Sequence, residues 1–107
     1  GLPAELADRA QTLGAKYALK VIDDDGKPHF AFLKKAKRHT IEQCMGMVSG
    51  VGGAEPRLID AGEMVLRDGW IAEVSDAAIL ENEDLLISAS FSAYKTIQIR
   101  LGELEKF

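Results

Sequence analysis

The apolar positions of the first third of the chain change period. Leu6, Ala10 and Leu13 recur at helical spacing behind Leu2-Pro3-Ala4-Glu5. Pro3 suits a first turn, where its missing N–H costs nothing, and Glu5 and Asp8 complement the positive dipole end. Gly14 supplies a stop. Tyr17, Leu19 and Val21 then alternate with Ala18, Lys20 and Ile22, the period of a half-buried strand, and His29-Phe30-Ala31-Phe32-Leu33-Lys34 is a second such run. Between them Asp23-Asp24-Asp25-Gly26-Lys27-Pro28 is a dense turn signal, in which Gly26 tolerates φ > 0. The pattern predicts a helix and then a β-hairpin, with Tyr17, Leu19, Val21, Phe30 and Phe32 in two facing sets, one packed on helices.

Helical periods dominate from there on. Thr40-Ile41-Glu42-Gln43 fits a capping box with Thr40 as the cap, and Ile41, Cys44, Met45 and Val48 mark one face of the helix it opens. Gly50-Val51-Gly52-Gly53 ends that helix. Glu55-Pro56 opens the next, with Leu58, Ile59, Gly62, Val65 and Leu66 inward and an end near Gly69-Trp70. In 71–82, Ser75 or Asp76 is suited to cap one short turn. The last segment is ambiguous: 87–93 and 97–101 alternate like strands, yet no Gly or Pro occurs between Asn82-Glu83-Asp84 and Gly102. An unbroken strand of that length would far exceed the usual span of about 3–10 residues. The stripe Leu86, Ser90, Ala93, Ile97, Leu101 and Leu104 predicts a long helix instead, with small residues where a neighbour can approach closely. The expected fold is α+β, a single small domain over 1–107: an N-terminal helix and hairpin followed by a small packed set of helices, the last one long.

Composition agrees with a folded domain. Of 107 residues, 47% are apolar and 28% charged, enough to bury a core without staples. The one cysteine excludes an internal disulfide. No run approaches the ~18 apolar residues of a membrane span and no signal-like segment opens the chain, so a cytoplasmic protein without membrane contact is expected. Charge is uneven: residues 1–54 carry eight Lys/Arg against six Asp/Glu, and 55–107 carry five against eleven. An acidic chain is a poor nucleic-acid binder. Its one basic run, Lys34-Lys35-Ala36-Lys37-Arg38-His39, reads as a solvated strand end or loop.

Each chemical signal is outweighed by a structural one. Counting from Gly26 as the sixth position of a calcium loop puts Val21 and Phe32 at its first and twelfth positions, where carboxylates belong. His29, His39 and Cys44 lack zinc-ligand spacing. A Cys44–His39 nucleophile pair needs a reactive thiolate, but Cys44 lies on the apolar stripe. The glycines at 46–53 lack the preceding strand and following Lys-Ser/Thr of a phosphate loop. Glu81, Glu83 and Asp84 read as dipole-complementing surface charges and Trp70 as a core anchor. No catalytic residue, cofactor or metal is expected.

The order of small motifs carries a resemblance. The hairpin Lys16–Leu33 leads into Leu33-Lys34-Lys35-Ala36-Lys37-Arg38-His39-Thr40. Ala61-Gly62-Glu63-Met64-Val65-Leu66 follows and runs on to Trp70-Ile71, and Glu83-Asp84-Leu85-Leu86 opens the last helix. Over about residues 16–104 this order resembles the tail assembly chaperones of long-tailed phages, most closely a variety found in bacterial prophage-like clusters. The resemblance implies a non-enzymatic protein of the bacterial host cytoplasm that binds the tape-measure protein, keeps that long helical chain soluble, recruits tail-tube subunits and then leaves. Homo-oligomerisation and a longer frameshifted product are compatible with it. On this reading Glu81, Glu83, Asp84 and Leu86 form the partner-binding surface, an acidic rim at an apolar helix start. The alternative is a small regulatory or ligand-binding domain with a pocket between hairpin and helices.

Overall fold

The computed structural model describes residues 3–49 and 57–102. The fold is α+β. Helix α1 spans Ala4–Thr12, strands β1 and β2 span Tyr17–Ile22 and Pro28–Leu33, and helices α2 to α5 span Arg38–Ser49, Leu58–Gly69, Ala78–Glu81 and Glu83–Gly102. Pro3 sits at the N-cap of α1, with Glu5 in the first turn.

The hairpin register runs from Tyr17↔Leu33 to Ile22↔Pro28. Paired residues share a face, so Tyr17, Leu19 and Val21 stand with Leu33, Ala31 and His29, while Phe30 and Phe32 point the other way. The expected two sets therefore exist, but both are covered. The Val21 face joins the main core, made with Cys44, Ala61, Val65, Leu66, Ile79, Leu85, Ala89, Ala93 and Ile97. The Phe face packs under α1 with Ala10, Ile71 and Val74.

A two-stranded ribbon is marginal alone. Here residues 69–76 run along the outer edge of β2. Lys34 N–H donates to Gly69 C=O (2.8 Å), Ile71 N–H to Phe32 C=O (3.1 Å) and Asp76 N–H to Phe30 C=O (2.9 Å). Ser75 Oγ accepts from Phe32 N–H at 2.9 Å. This segment fixes the end of α3 and the start of α4 against the hairpin.

Three local expectations are corrected. Thr40 is not the cap of α2 but a buried residue inside its first turn. Helix α2 starts earlier because Asp68, across on α3, accepts Lys37 N–H (2.9 Å) and the Thr40 hydroxyl. Those bonds hold the Asp68 carboxyl below the usual range, the Lys37 N–H contributing most. Met45 is exposed and off the packed face, where Cys44, Met47 and Val48 meet the core. On α5 the buried stripe runs through Leu85, Ala89, Ser90, Ala93, Tyr94 and Ile97, so Leu86 lies at its margin. The 50–53 glycine run, the Glu55-Pro56 helix start and Leu104 lie outside the described residues, as does the Leu101 side chain.

Helices α3 and α5 make the closest packing of the fold, as the small residues of α5 suggest. A Cβ at Gly62 would stand 1.9 Å from Ser90 C=O oxygen, so only glycine permits this approach.

Candidate functional site

The hairpin turn and the first turns of α5 meet at one end of the molecule. Gly26 takes φ +81°, and Asp23 C=O accepts its N–H at 3.0 Å. Asp23 Oδ1 accepts the N–H groups of Asp25 and Lys27, both at 2.9 Å, closing the turn from within. Asp23 Oδ2 lies 2.9 Å from His29 Nε2, and His29 Nδ1 lies 2.7 Å from Asp76 Oδ2. Asp76 Oδ1 then accepts Ala78 N–H at 3.0 Å and starts α4. Carboxylates only accept, so an imidazolium, with both ring nitrogens donating, satisfies both contacts at once, and the arrangement favours that form of His29. Its pKa is raised above the ordinary 6.5 by the bond to Asp23 and then that to Asp76. Both carboxyls are held below their usual range, first by His29 and next by the backbone N–H groups each accepts.

Beside this relay lies an open groove of ≈ 260 Å³ between Ile22, Asp24 and Asp25 on the hairpin and Asp84, Leu85 and Ser88 on α5. Asn82 Oδ1 caps α5 by accepting Leu85 N–H at 3.2 Å. Glu83 and Asp84 in the first turn complement the dipole. Helical spacing sets Ile87 and Phe91 one turn apart on the solvent face, 44% and 46% exposed, and Lys95 Nζ lies 5.6 Å over the Phe91 ring.

Of the sequence-predicted partner-binding residues, Glu81, Glu83 and Asp84 are exposed at the α4–α5 junction, while Leu86 is half-buried against the core. Sequence reasoning missed Ile87 and Phe91, whose i, i+4 spacing on the face opposite the small-residue stripe is the signal that finds them. It also missed the Asp23–His29–Asp76 relay. A histidine facing inward opposite Val21 was the available clue, but its second partner is 47 residues away.

Cys44 and His39 are not brought together. Cys44 is fully buried, with Sγ 3.3 Å from Ala61 C=O, and burial pushes its thiol up, whereas His39 is exposed. Among the described residues, no three His, Cys, Asp or Glu side chains are placed to hold a metal ion. His29 stands between its two carboxylates rather than converging with them on a point. No helix among the described residues is long and apolar enough to cross a membrane. In comparisons with known proteins, no family model, no curated protein and no solved structure matches this chain.

Proposed function

We propose that the chain is a non-enzymatic protein-binding module of the phage tail assembly chaperone type, which holds a helical client on the outer face of α5. The observation that supports this reading is the juxtaposition of exposed Ile87 and Phe91 with the carboxylates Glu83 and Asp84 on one helix face. Two large apolar side chains supply burial, and flanking charges steer encounter and register. Exposed charge pairs are worth about 0–1 kcal/mol each, so the charges add little affinity and leave the contact reversible. That suits a chaperone, which must leave its client. The groove beside the face is open and lined by carboxylates, which favours a basic segment of a larger partner over an enclosed small molecule.

The test is binding kinetics against a helical tape-measure segment from the same source as this chain. Glu83→Lys with Asp84→Lys should slow association, most at low salt, while Phe91→Ala should speed dissociation. If the segment does not bind, the chaperone reading fails. If it binds but neither substitution changes the rates, the α5 face is not the contact.

A further inference from the structure

The two long edges of the hairpin differ. Asp23 N–H donates to Lys27 C=O at 3.0 Å, and the register carries that pattern along the ribbon. Tyr17, Leu19 and Val21 therefore turn their N–H and C=O groups to β2, while Ala18, Lys20 and Ile22 turn theirs outward. Phe30 and Phe32, which pair with Lys20 and Ala18, agree: their carbonyls face the opposite edge and accept from Asp76 and Ile71. Residues 69–76 thus cover the edge of β2. The edge of β1 has no such cover. Among the described residues, nothing outside the strand hydrogen-bonds the backbone N–H or C=O of Ala18, Lys20 or Ile22. Their side chains are exposed, Ile22 by 58%. Lys20 makes no ion pair among the described residues. Beside Ala18, between β1 and α1, lies a hollow of ≈ 140 Å³ whose lining includes Ala7, Ala10 and Phe32.

We propose that β1 is a docking edge for an extended acidic segment of another protein, which joins the hairpin as an antiparallel third strand. Alternate residues that present free N–H and C=O groups in a row are a template for a strand. A helical partner has already paired its own backbone groups and cannot use them. The side chains then select the sequence. Lys20, at the centre of the edge, calls for a carboxylate directly opposite, since opposite charges stabilise a cross-strand pair and like charges oppose it. The residue opposite Ala18 meets the hollow and the one opposite Ile22 meets an exposed aliphatic side chain, so both are aliphatic. The occupant therefore reads aliphatic, any, acidic, any, aliphatic. Lys20 also disfavours a second copy of this chain: fully overlapped antiparallel pairing of two β1 edges would set Lys20 against Lys20. This docking uses none of α5, so it stands apart from the client-binding reading.

The probe is the end-capped peptide Thr-Val-Thr-Glu-Thr-Val-Thr, built from strand formers around one carboxylate and titrated into the full chain. Amide hydrogen exchange followed by NMR reads the contact. In the free protein the amides of Ala18, Lys20 and Ile22 should exchange faster than those of Leu19 and Val21, which β2 protects. Peptide at about ten times its Kd should slow the first three about tenfold. Replacing the glutamate by lysine should weaken binding about fivefold, and Lys20→Glu should reverse that preference. Lys20 is exposed, so the fold should persist in the variant. Methylated peptides test the unaltered protein. N-methyl groups on the valines and glutamate, whose N–H groups face β1 in this register, should abolish binding, whereas N-methyl groups on the threonines between them should leave it. No binding at up to about 1 mM peptide would overturn the proposal. So would protection that misses these three amides, binding that survives methylation of the valines and glutamate, or a glutamate preference that Lys20→Glu leaves unmoved. Protection of the same amides that grows with protein concentration and needs no peptide would put a second copy on the edge and overturn the choice of occupant. Glu83, Asp84 and Phe91 are unaltered throughout, so client binding is scored separately on the same proteins.

Discussion

Gly62→Ala isolates the contact on which the α-helical part of the fold depends. The new methyl would lie 1.9 Å from the Ser90 carbonyl oxygen, 2.6 Å from its carbon and 3.3 Å from Cα. An ordinary carbon–oxygen contact is about 3.3 Å, so α5 must retreat from α3 by about 1.4 Å at this point. No side chain can rotate away, because the obstacle is backbone. A radial gap of about 0.5–1 Å already forfeits a quarter to a half of each dispersion contact, and Val65, Leu66, Ala89 and Ala93 all lie in the interface core. Overpacking of this kind costs about 3 kcal/mol, the upper end for added methylenes in a tight core. Alanine returns about 1 kcal/mol through helix propensity. The net loss is about 2 kcal/mol, a fall in Tm of roughly 8–16 °C for a domain of this size. Urea and thermal unfolding followed by circular dichroism measure it, an unchanged m-value showing that the loss is one of stability. A variant as stable as the wild type would mean that α3 and α5 do not approach this closely.

Ser90→Ala should be neutral or stabilising by about 1 kcal/mol in the same assay, because Ser90 Oγ is buried with no hydrogen-bond partner among the described residues. Cys44→Ala should cost about 1–2 kcal/mol through the small cavity it leaves, and a thiol reagent should label native Cys44 only as fast as the protein opens. The His29 relay makes stability pH-dependent. His29 has a raised pKa, so its contribution is complete below the unfolded value of 6.5 and is lost as pH rises through the folded value. Asp23 and Asp76 are lowered, so theirs is present above 3.8 and lost as pH falls through their folded values. The Tm difference between wild type and His29→Gln should therefore be largest at about pH 4–6.5 and shrink on either side; a difference that stays constant from pH 5 to 9 would show that His29 carries no extra proton.

What the chain's local pattern reveals, and what it hides, follows from how far apart the deciding residues are. The hairpin was legible because alternation and the Asp-Gly turn lie within seventeen residues, 17–33. The single long helix was legible because nothing between Asn82 and Gly102 breaks one, even though residues 87–93 alternate like a strand. The start of α2 was not, because the group that sets it, Asp68, is 31 residues from Lys37. Nor was the inward histidine's tie to Asp76. The acidic residues divide partly by the same separation. Asp23, Asp68 and Asp76 each satisfy backbone N–H groups and hold a side-chain partner, and so serve the fold. Asp24, Asp25, Glu83 and Asp84 carry the same charge, yet they form no ion pair among the described residues. In sequence the two groups look alike, since Asp23 adjoins Asp24 and Asp25. Bonds within the turn set Asp23 apart, and tertiary bonds set Asp68 and Asp76 apart, from the carboxylates left to meet a partner. The candidate contact surface is therefore narrower than the net charge of the C-terminal half suggests, and it gathers at one end of the molecule.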